Sequence, residues 1–224
     1  MDSRIRIILF CGILILFIIP LFIIAGSETS WSLYTLIRIA GVWGFISLSF
    51  GALLNMNKNA VKSQFGKPFL KIHHIFAIGG LILITLHPVL YAYLALNPGV
   101  FIPDTSSLYD FLATGGRIAF ILIYLAFCAG IFRMALKNRW RFIHGLIYPA
   151  LILAVVHANL IGQTMVNPIV SVIINGLALL VGLTFVMVRI RRRRKNGDES
   201  HTSLRLTGAS EEQINRSAKD EQRN

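Results

Sequence analysis

Long apolar runs, separated by short polar stretches, make up most of the chain. Six of these runs reach about 20 residues, which at about 1.5 Å of rise per residue crosses a hydrocarbon core roughly 30 Å thick. The pattern predicts an all-α, polytopic membrane protein built as a six-helix bundle. The predicted spans are Ile5–Ala25, Ser32–Leu54, Pro68–Leu96, Leu108–Leu136, Arg141–Gly162 and Pro168–Ile190. The first is longer than the apolar region of a secretion signal, about 7–15 residues, and is taken as a true span.

Basic residues lie at alternate ends of these spans. Arg4 and Arg6 precede the first span, and the run RIRRRRK ends the sixth. The connections after spans two and four carry Lys58, Lys62, Lys67, Lys71, Lys137, Arg139 and Arg141. The other three connections contain no Lys or Arg. By the positive-inside rule, both termini are predicted to be cytoplasmic.

Composition agrees with a protein of the cell (plasma or inner) membrane that crosses it several times. Of 224 residues, 55% are hydrophobic and 14% are charged, which is too little charge for a soluble domain. The net charge of +12 follows from topology and from attraction to membrane lipids, so nucleic-acid binding is not expected. Residues 1–195 are assigned to one membrane domain, and the polar tail 196–224 is expected to be disordered.

Four histidines in otherwise apolar segments are the strongest chemical signal. His73 and His87 are fourteen residues apart in span three, and His144 and His157 are thirteen apart in span five. Both spans run in the same direction, and these steps correspond to about 21 Å and about 20 Å of helix. The histidines therefore form two level pairs, an inner pair (His73, His144) and an outer pair (His87, His157). Two facing imidazoles are the ligand set of six-coordinate haem iron.

Other interpretations of the histidines were weighed. A single membrane histidine is often a hydrogen-bonded helix contact, but four at matched depths favour a ligand role. A zinc site would need three or four converging ligands, usually with Cys or carboxylate, and spans three and five have no Asp, Glu or Cys. The absence of a CxxCH motif excludes covalent c-type haem attachment.

Helix phase selects between the adjacent histidines of span three. Fourteen residues bring His73 to within roughly 40° of the face that carries His87, whereas His74 would lie about 140° away. His73 is therefore the predicted inner ligand, and His74 is a candidate polar neighbour of the cofactor. The thirteen-residue step of span five has the same poor phase, and Pro149 predicts a kink between its two histidines.

Three segments resemble the ferric reductase-like transmembrane domain superfamily. HHIFAIGGLILITLH resembles its third helix, with Ala77 where glycine is common; RWRFIHGLIYPALILAVVH resembles its fifth, and IRIAGVWGFISLSFGALL its second. The superfamily includes ferric reductases, NADPH oxidases and the haem-binding membrane subunit of the bacterial methionine sulfoxide reductase system. The resemblance covers about residues 32–189. It implies bis-histidine b haems, with His73 pairing with His144 and His87 with His157, and electron transfer across the membrane.

The resemblance has one large departure. Full ferric reductases and NADPH oxidases continue into flavin and nicotinamide domains, whereas only about 30 residues follow span six here. We therefore expect an oxidoreductase component, a dihaem b-type cytochrome whose donor is a separate cytoplasmic flavoprotein or membrane quinol. The methionine sulfoxide reductase subunit is equally short but often lacks the four-histidine set, so a single-haem, quinol-linked subunit is the alternative. The outer acceptor is left open between ferric chelates, oxygen and a partner protein.

Two arginines are the remaining unusual residues inside the spans. Arg38 and Arg117 enter from the outer side and should lie near the depth of His87. A buried guanidinium needs a partner, and a haem propionate would provide a carboxylate. The competing interpretation is that both snorkel to the outer head groups. The alternative from a different class is a cofactor-free transporter or assembly protein; a transporter should show broken helices and acidic groups at mid-membrane, which the sequence does not show.

Overall fold

The computed structural model describes residues 3–27, 31–54 and 68–190, and in these ranges the chain is helical with no strand. Lys58, Lys62 and Lys67 and the tail from residue 191 lie outside the described residues. The helices are α1 (Ser3–Gly26), α2 (Leu33–Leu53), α3 (Phe69–Ala95), α4 (Leu108–Ala113), α5 (Gly115–Ile131), α6 (Arg133–Leu136), α7 (Trp140–His144), α8 (Ile147–Ile161) and α9 (Pro168–Ile190). Short 3-10 turns occupy Pro98–Phe101 and Gln163–Val166.

Four helical segments are long and apolar enough to cross a membrane. They are Leu33–Leu53, Phe69–Ala95, Trp140–Ile161 and Pro168–Ile190, and two shorter apolar helices are Phe10–Gly26 and Gly115–Ile131. The prediction of an all-α, multi-pass membrane protein is confirmed. The count of six spans and the cytoplasmic position of both termini stay predictions.

Two predicted spans are interrupted in the structure. Span four is divided at Thr114 and Phe132 into α4, α5 and α6. Span five is divided at Gly145–Leu146 into α7 and α8. Pro149 explains the second break, because proline lacks an N–H and its ring clashes with the carbonyl four residues earlier, that of Gly145. The predicted kink is therefore present, one turn before the proline.

The chain divides into two compact units, Met1–Gly182 and Leu183–Asn224. Of the second unit, the structure describes the helical segment Leu183–Ile190. The first unit contains the hydrophobic core, which is centred on Ile46, Leu151 and Val170. Unit boundaries near residue 195, as predicted from composition, stay untested.

Within the first unit, α2 and α3 pack closely as an antiparallel pair. A Cβ placed on Gly44 would lie 3.0 Å from the backbone nitrogen of Ile84, and one on Gly80 would lie 3.0 Å from the backbone nitrogen of Leu48. Only glycine leaves room for backbones at this distance. The close approach brings the carbonyl groups of α2 within reach of side chains on α3.

Two polar contacts attach the outlying helices of this unit. The indole N–H of Trp43 on α2 donates to the carbonyl of Phe17 on α1 at 2.9 Å. Asn159 on α8 and Asn175 on α9 exchange amide hydrogen bonds of 2.9 and 3.2 Å. In an apolar environment such bonds are costly to break, so they fix α1 against α2 and α9 against α8, which carries His157.

Candidate functional site

All four histidines of the two predicted pairs bind the protein in the same way. Each Nδ1 lies within hydrogen-bond distance of a backbone carbonyl on a neighbouring helix. The pairs are His73 with Gly51 at 3.0 Å, His87 with Ile37 at 2.9 Å, His144 with Ala126 at 2.8 Å and His157 with Ala113 at 2.6 Å. A carbonyl oxygen only accepts, so Nδ1 is the donor and carries the proton. In a neutral imidazole this leaves the lone pair on Nε2, the nitrogen available to a metal.

The spacing of the carbonyls reproduces the spacing of the histidines. Ile37 and Gly51 are fourteen residues apart, as are the histidines His73 and His87 that they hold. Ala113 and Ala126 are thirteen residues apart, and so are His144 and His157. Two antiparallel helix pairs, α2 with α3 and the α4–α5 segment with α7–α8, therefore present their imidazoles in register. Each step is matched within its own helix pair, and in span five the break at Gly145–Leu146 lies between the two histidines.

The helix interruptions make some of these carbonyls accessible. Ala113 ends α4 immediately before the break at Thr114, where a carbonyl no longer has its regular partner four residues ahead. Gly51 lies in the last turn of α2. Ile37 and Ala126 lie inside helices, where the second lone pair of the carbonyl can accept a further donor. Backbone acceptors thus serve all four imidazoles without any acidic side chain.

The two rings of the inner pair lie close together. The centroids of His73 and His144 are 6.2 Å apart, with 70° between the ring planes. A ligating nitrogen lies about 2 Å from its metal and about 1 Å from its ring centre, so imidazoles on opposite sides of one iron have centres about 6 Å apart. The observed separation fits this requirement. Phe69 stacks on His73 at 5.5 Å, and Trp140 lies 6.0 Å from His144.

The outer pair is held by the same two helix pairs, nearer to the connections predicted to lie outside. A hydroxyl contact between Thr85 on α3 and Tyr124 on α5, 2.7 Å long, joins the two halves two residues before His87. Among the described residues no three His, Cys, Asp or Glu side chains converge. What this part of the chain offers a metal is therefore imidazoles in pairs.

His74 points away from this arrangement. Its side chain is exposed, and its ring centroid lies 5.9 Å from that of His73. In the described ranges it donates to no carbonyl, unlike its neighbour. The structure therefore brings His73, and not His74, together with His144. The assignment of either as a ligand stays a prediction.

Arg38 lies at the edge of a cavity of about 620 Å³ between α1, α2 and the turn before α9. Its Nε donates to the hydroxyl of Thr164 at 3.0 Å, and one terminal nitrogen donates to Ser27 at 3.2 Å. Gln163 also lines the cavity. The cavity combines a cation, an amide and hydroxyls with apolar walls, which suits an anionic or oxygen-rich group.

Arg117 points toward the outer connection between α3 and α4. It donates to the carbonyl of Ile102, and its charge reaches Asp104. Hydrogen bonds from the hydroxyl and the backbone N–H of Ser106, with a further contribution from Arg117, hold the pKa of Asp104 below its ordinary value. Sequence reasoning found no carboxylate near the arginines because it considered the spans alone and not this connection.

Sequence reasoning also missed the carbonyl partners and the glycines beside the histidines. Gly41, Gly51, Gly116 and Gly130 each lie against one of the four imidazoles. Glycines in α2 and α5 were visible in the sequence, and their placement at the two ends of each helix was a usable signal. The carbonyls gave none, because every residue has one.

A model of the family described as ferric reductase like transmembrane component matches residues 40–155. The match covers more than half of the chain and contains His73, His87 and His144. It ends two residues before His157. No curated protein and no solved structure matches the chain.

Proposed function

The chain belongs to the family of ferric reductase-like transmembrane components, and we propose that it is a dihaem b-type cytochrome that moves electrons across the membrane. Membership already makes it a membrane redox component. The proposal goes further and states the number of haems, their ligands and the direction of electron transfer. In it, His73 and His144 hold one haem, and His87 and His157 hold the other.

The observation that carries the proposal is the common hydrogen bond at Nδ1 of all four histidines. Histidines that bind metals generally donate the other ring N–H to a carbonyl or carboxylate, which fixes the tautomer and the ring orientation. A histidine with only a structural role has no need of a second imidazole nearby, whereas the ring centroids of His73 and His144 lie 6.2 Å apart. Four such donors, two on each of two helix pairs, support a ligand role better than a packing role.

When two imidazoles bind it, haem iron supplies a one-electron redox couple. The residues of this chain would bind and orient the haem. The carbonyls of Ile37, Gly51, Ala113 and Ala126 keep the rings from rotating, and apolar helix faces exclude water. An unpaired buried donor would cost about 1–3 kcal/mol, so each carbonyl also favours the oriented ring over a rotated one.

Arg38 and Arg117 are the proposed partners of acidic groups on the outer haem. Support comes from the cavity beside Arg38, whose hydroxyl and amide lining suits a carboxylate. Arg38 immediately follows Ile37, the residue that holds His87, so the cation is at the depth of the outer pair. His74 is retained as a possible polar neighbour of the inner haem, with its exposed ring as the weaker support.

The proposed topology places both termini and the inner pair on the cytoplasmic side, with six spans in residues 1–195. Lys71 and Arg141 are exposed beside the inner pair, and the guanidinium of Arg141 lies 5.7 Å from the centre of the Trp140 ring. A basic surface of this kind would attract an acidic partner. We therefore propose a separate flavoprotein as donor, with quinol as the alternative.

Haem content tests the main proposal. Pyridine haemochrome absorbance, measured against protein concentration, should give two b haems per chain, with a low-spin spectrum. One haem per chain would favour the quinol-linked single-haem subunit. A colourless protein from haem-replete cells would refute both and favour a cofactor-free transporter or assembly protein.

Reduction in liposomes tests the separate donor. NADH or NADPH alone should leave the haems oxidised, because these 224 residues contain no glycine-rich nucleotide motif. Dithionite or an added flavin reductase should reduce them, and reduction through a docked protein should slow as salt screens the basic surface. Rapid reduction by NADPH without a second protein or added flavin would contradict this part of the proposal.

A further inference from the structure

We propose that Gly41 and Gly116 are positioning residues for the outer histidine pair. The missing side chains at these two positions let the backbone approach the imidazoles of His87 and His157. The inner pair has no such dependence on its neighbouring glycines. The inference rests on the proposed function. It adds a difference between the two pairs that the four ligands alone do not show, namely that glycines position the rings of the outer pair only.

Gly41 on α2 leaves no room for a side chain beside His87. A Cβ at this position would lie 2.9 Å from Nδ1 and 3.1 Å from Cε1 of the ring. Nδ1 is the atom that donates to the Ile37 carbonyl at 2.9 Å. A methyl group here would therefore press on the atom whose hydrogen bond fixes the ring.

Gly116 on α5 is equally close to His157. A Cβ would lie 2.8 Å from Cδ2, 2.9 Å from Nε2 and 3.0 Å from Cγ. Nearly equal distances to three consecutive ring atoms place the added carbon over the face of the ring and not at its edge. It would tilt the ring and with it the direction of the Nε2 lone pair.

Helix geometry explains why a glycine and a carbonyl act together. The carbonyl of residue i points along the helix toward residue i+4, so a donor from a neighbouring helix must pass the side chains at i+3 and i+4. Gly41 is four residues after Ile37, and Gly116 is three residues after Ala113. Each glycine thus opens the path from an imidazole to its carbonyl.

The glycines beside the inner pair are farther from their rings. A Cβ on Gly51 would lie 3.8 Å from Nδ1 of His73, and one on Gly130 would lie 3.6 Å from Nδ1 of His144. Carbon atoms pack most favourably at about 3.5–4.0 Å, so a methyl group fits at both inner positions. At the outer positions the ring or the helix would have to move by about 0.5–1 Å to restore such a distance.

Four alanine substitutions test the inference. Gly41→Ala and Gly116→Ala should each lower the haem content toward one per chain, or leave the outer haem with an altered low-spin electron paramagnetic resonance signal. Gly130→Ala and Gly79→Ala should keep both haems and the wild-type signals. Redox titration should show a displaced or missing potential for the outer haem only in the first two variants.

A packing defect must be told apart from a positioning effect. Gly44→Ala disturbs the contact between α2 and α3 without touching an imidazole, and Gly79→Ala adds a methyl group where nothing lies within 4 Å. Because α3 carries a histidine of each pair, a loosened α2–α3 contact should affect both haems. Circular dichroism and gel filtration identify any variant that has failed to fold, and a Gly41→Ala or Gly116→Ala protein that fails to fold counts with those damaged at both haems.

The outcomes separate this inference from the proposed function. Loss or alteration confined to the outer haem in both outer variants supports it. Wild-type haem content and signals in both overturn it while leaving the dihaem proposal intact. Equal damage to both haems in these variants also overturns it, since that is the result of lost helix packing. A wild-type protein without haem overturns the proposed function itself.

Discussion

The inner and outer histidine pairs use one kind of hydrogen bond but different surroundings. At the outer pair, glycine backbone lies directly against the rings, and Arg38 on α2 and Arg117 on α5 donate hydrogen bonds to residues of the nearby connections. At the inner pair, the glycines are at ordinary contact distance, and aromatic side chains flank the rings instead, Phe69 on His73 and Trp140 beside His144. The comparison indicates that backbone shape orients the outer rings, while side-chain packing contributes more at the inner pair.

The difference has a chemical consequence for two otherwise equal ligand sets. Cations near a redox centre favour its reduced, less positive state, and apolar aromatic groups do not. If both pairs bind haem as proposed, the two centres should differ in potential because of Arg38 and Arg117 on one side and Phe69 on the other. Removing individual residues on each side therefore tests whether the difference between the pairs is real.

Loss of a ligand should give the largest effect. His87→Ala or His157→Ala should remove the outer haem and leave the inner one spectrally present, and His73→Ala or His144→Ala should do the reverse. If each pair holds one haem as proposed, either substitution removes one of the two imidazoles that would bind it, so haem per chain should fall by about half. Pyridine haemochrome absorbance measures the haem content per chain, and low-temperature absorbance spectra show which of the two haems remains.

His74→Ala is the matched control for the inner pair. It removes an adjacent imidazole that is exposed and that donates to no carbonyl among the described residues. Both haems should remain. Loss of the inner haem in this variant, with His73→Ala silent, would reverse the assignment of the two neighbours.

The helices and the shared face of His73 and His87 were largely predictable from the sequence. Apolar runs longer than the membrane core and basic residues at alternate ends require no tertiary information. The fourteen-residue step between His73 and His87 predicted that they share a face, and both do bind carbonyls of the single helix α2. The family suggested by three short segments is confirmed by the match to residues 40–155.

The helix interruptions and the backbone carbonyls that accept from the histidine rings were not predictable in the same way. The break at Thr114 lies inside the predicted fourth span, and its use became clear only when the Ala113 carbonyl was seen to accept from His157. Hydrophobic periodicity describes one helix at a time, whereas each imidazole–carbonyl hydrogen bond joins two helices. Arg117 shows the same limit, because its neighbours Ile102 and Asp104 come from a connection and not from a span.

Neutralising the outer arginines should have an intermediate effect. Arg38→Gln and Arg117→Gln keep a polar side chain of similar reach but remove a positive charge, so the potential of the outer haem should fall by on the order of tens of millivolts. The inner potential should be unchanged. Arg141→Gln is the comparison on the other side; its guanidinium is exposed and screened, so the inner potential should move less. Equal shifts at both haems in every variant would remove the proposed electrostatic difference between the pairs.

The smallest effect should come from acidification of the outer connection. Asp104 accepts from the hydroxyl of Ser106 at 2.6 Å and from its backbone N–H at 3.0 Å, and these bonds hold the pKa of the carboxyl below the ordinary value of 3.8. A carboxyl whose pKa is lowered by folding stabilises the folded connection at every pH above its ordinary pKa. That stabilisation is lost as the pH falls through the lowered pKa of the folded state. Amide hydrogen exchange of the peptide 97–107 should therefore be slower in the wild type than in Asp104→Ala at neutral pH, and the two should converge in acid. A difference in exchange rate between the two proteins that persists unchanged well below pH 3.8 would show that the carboxylate does not stabilise the connection.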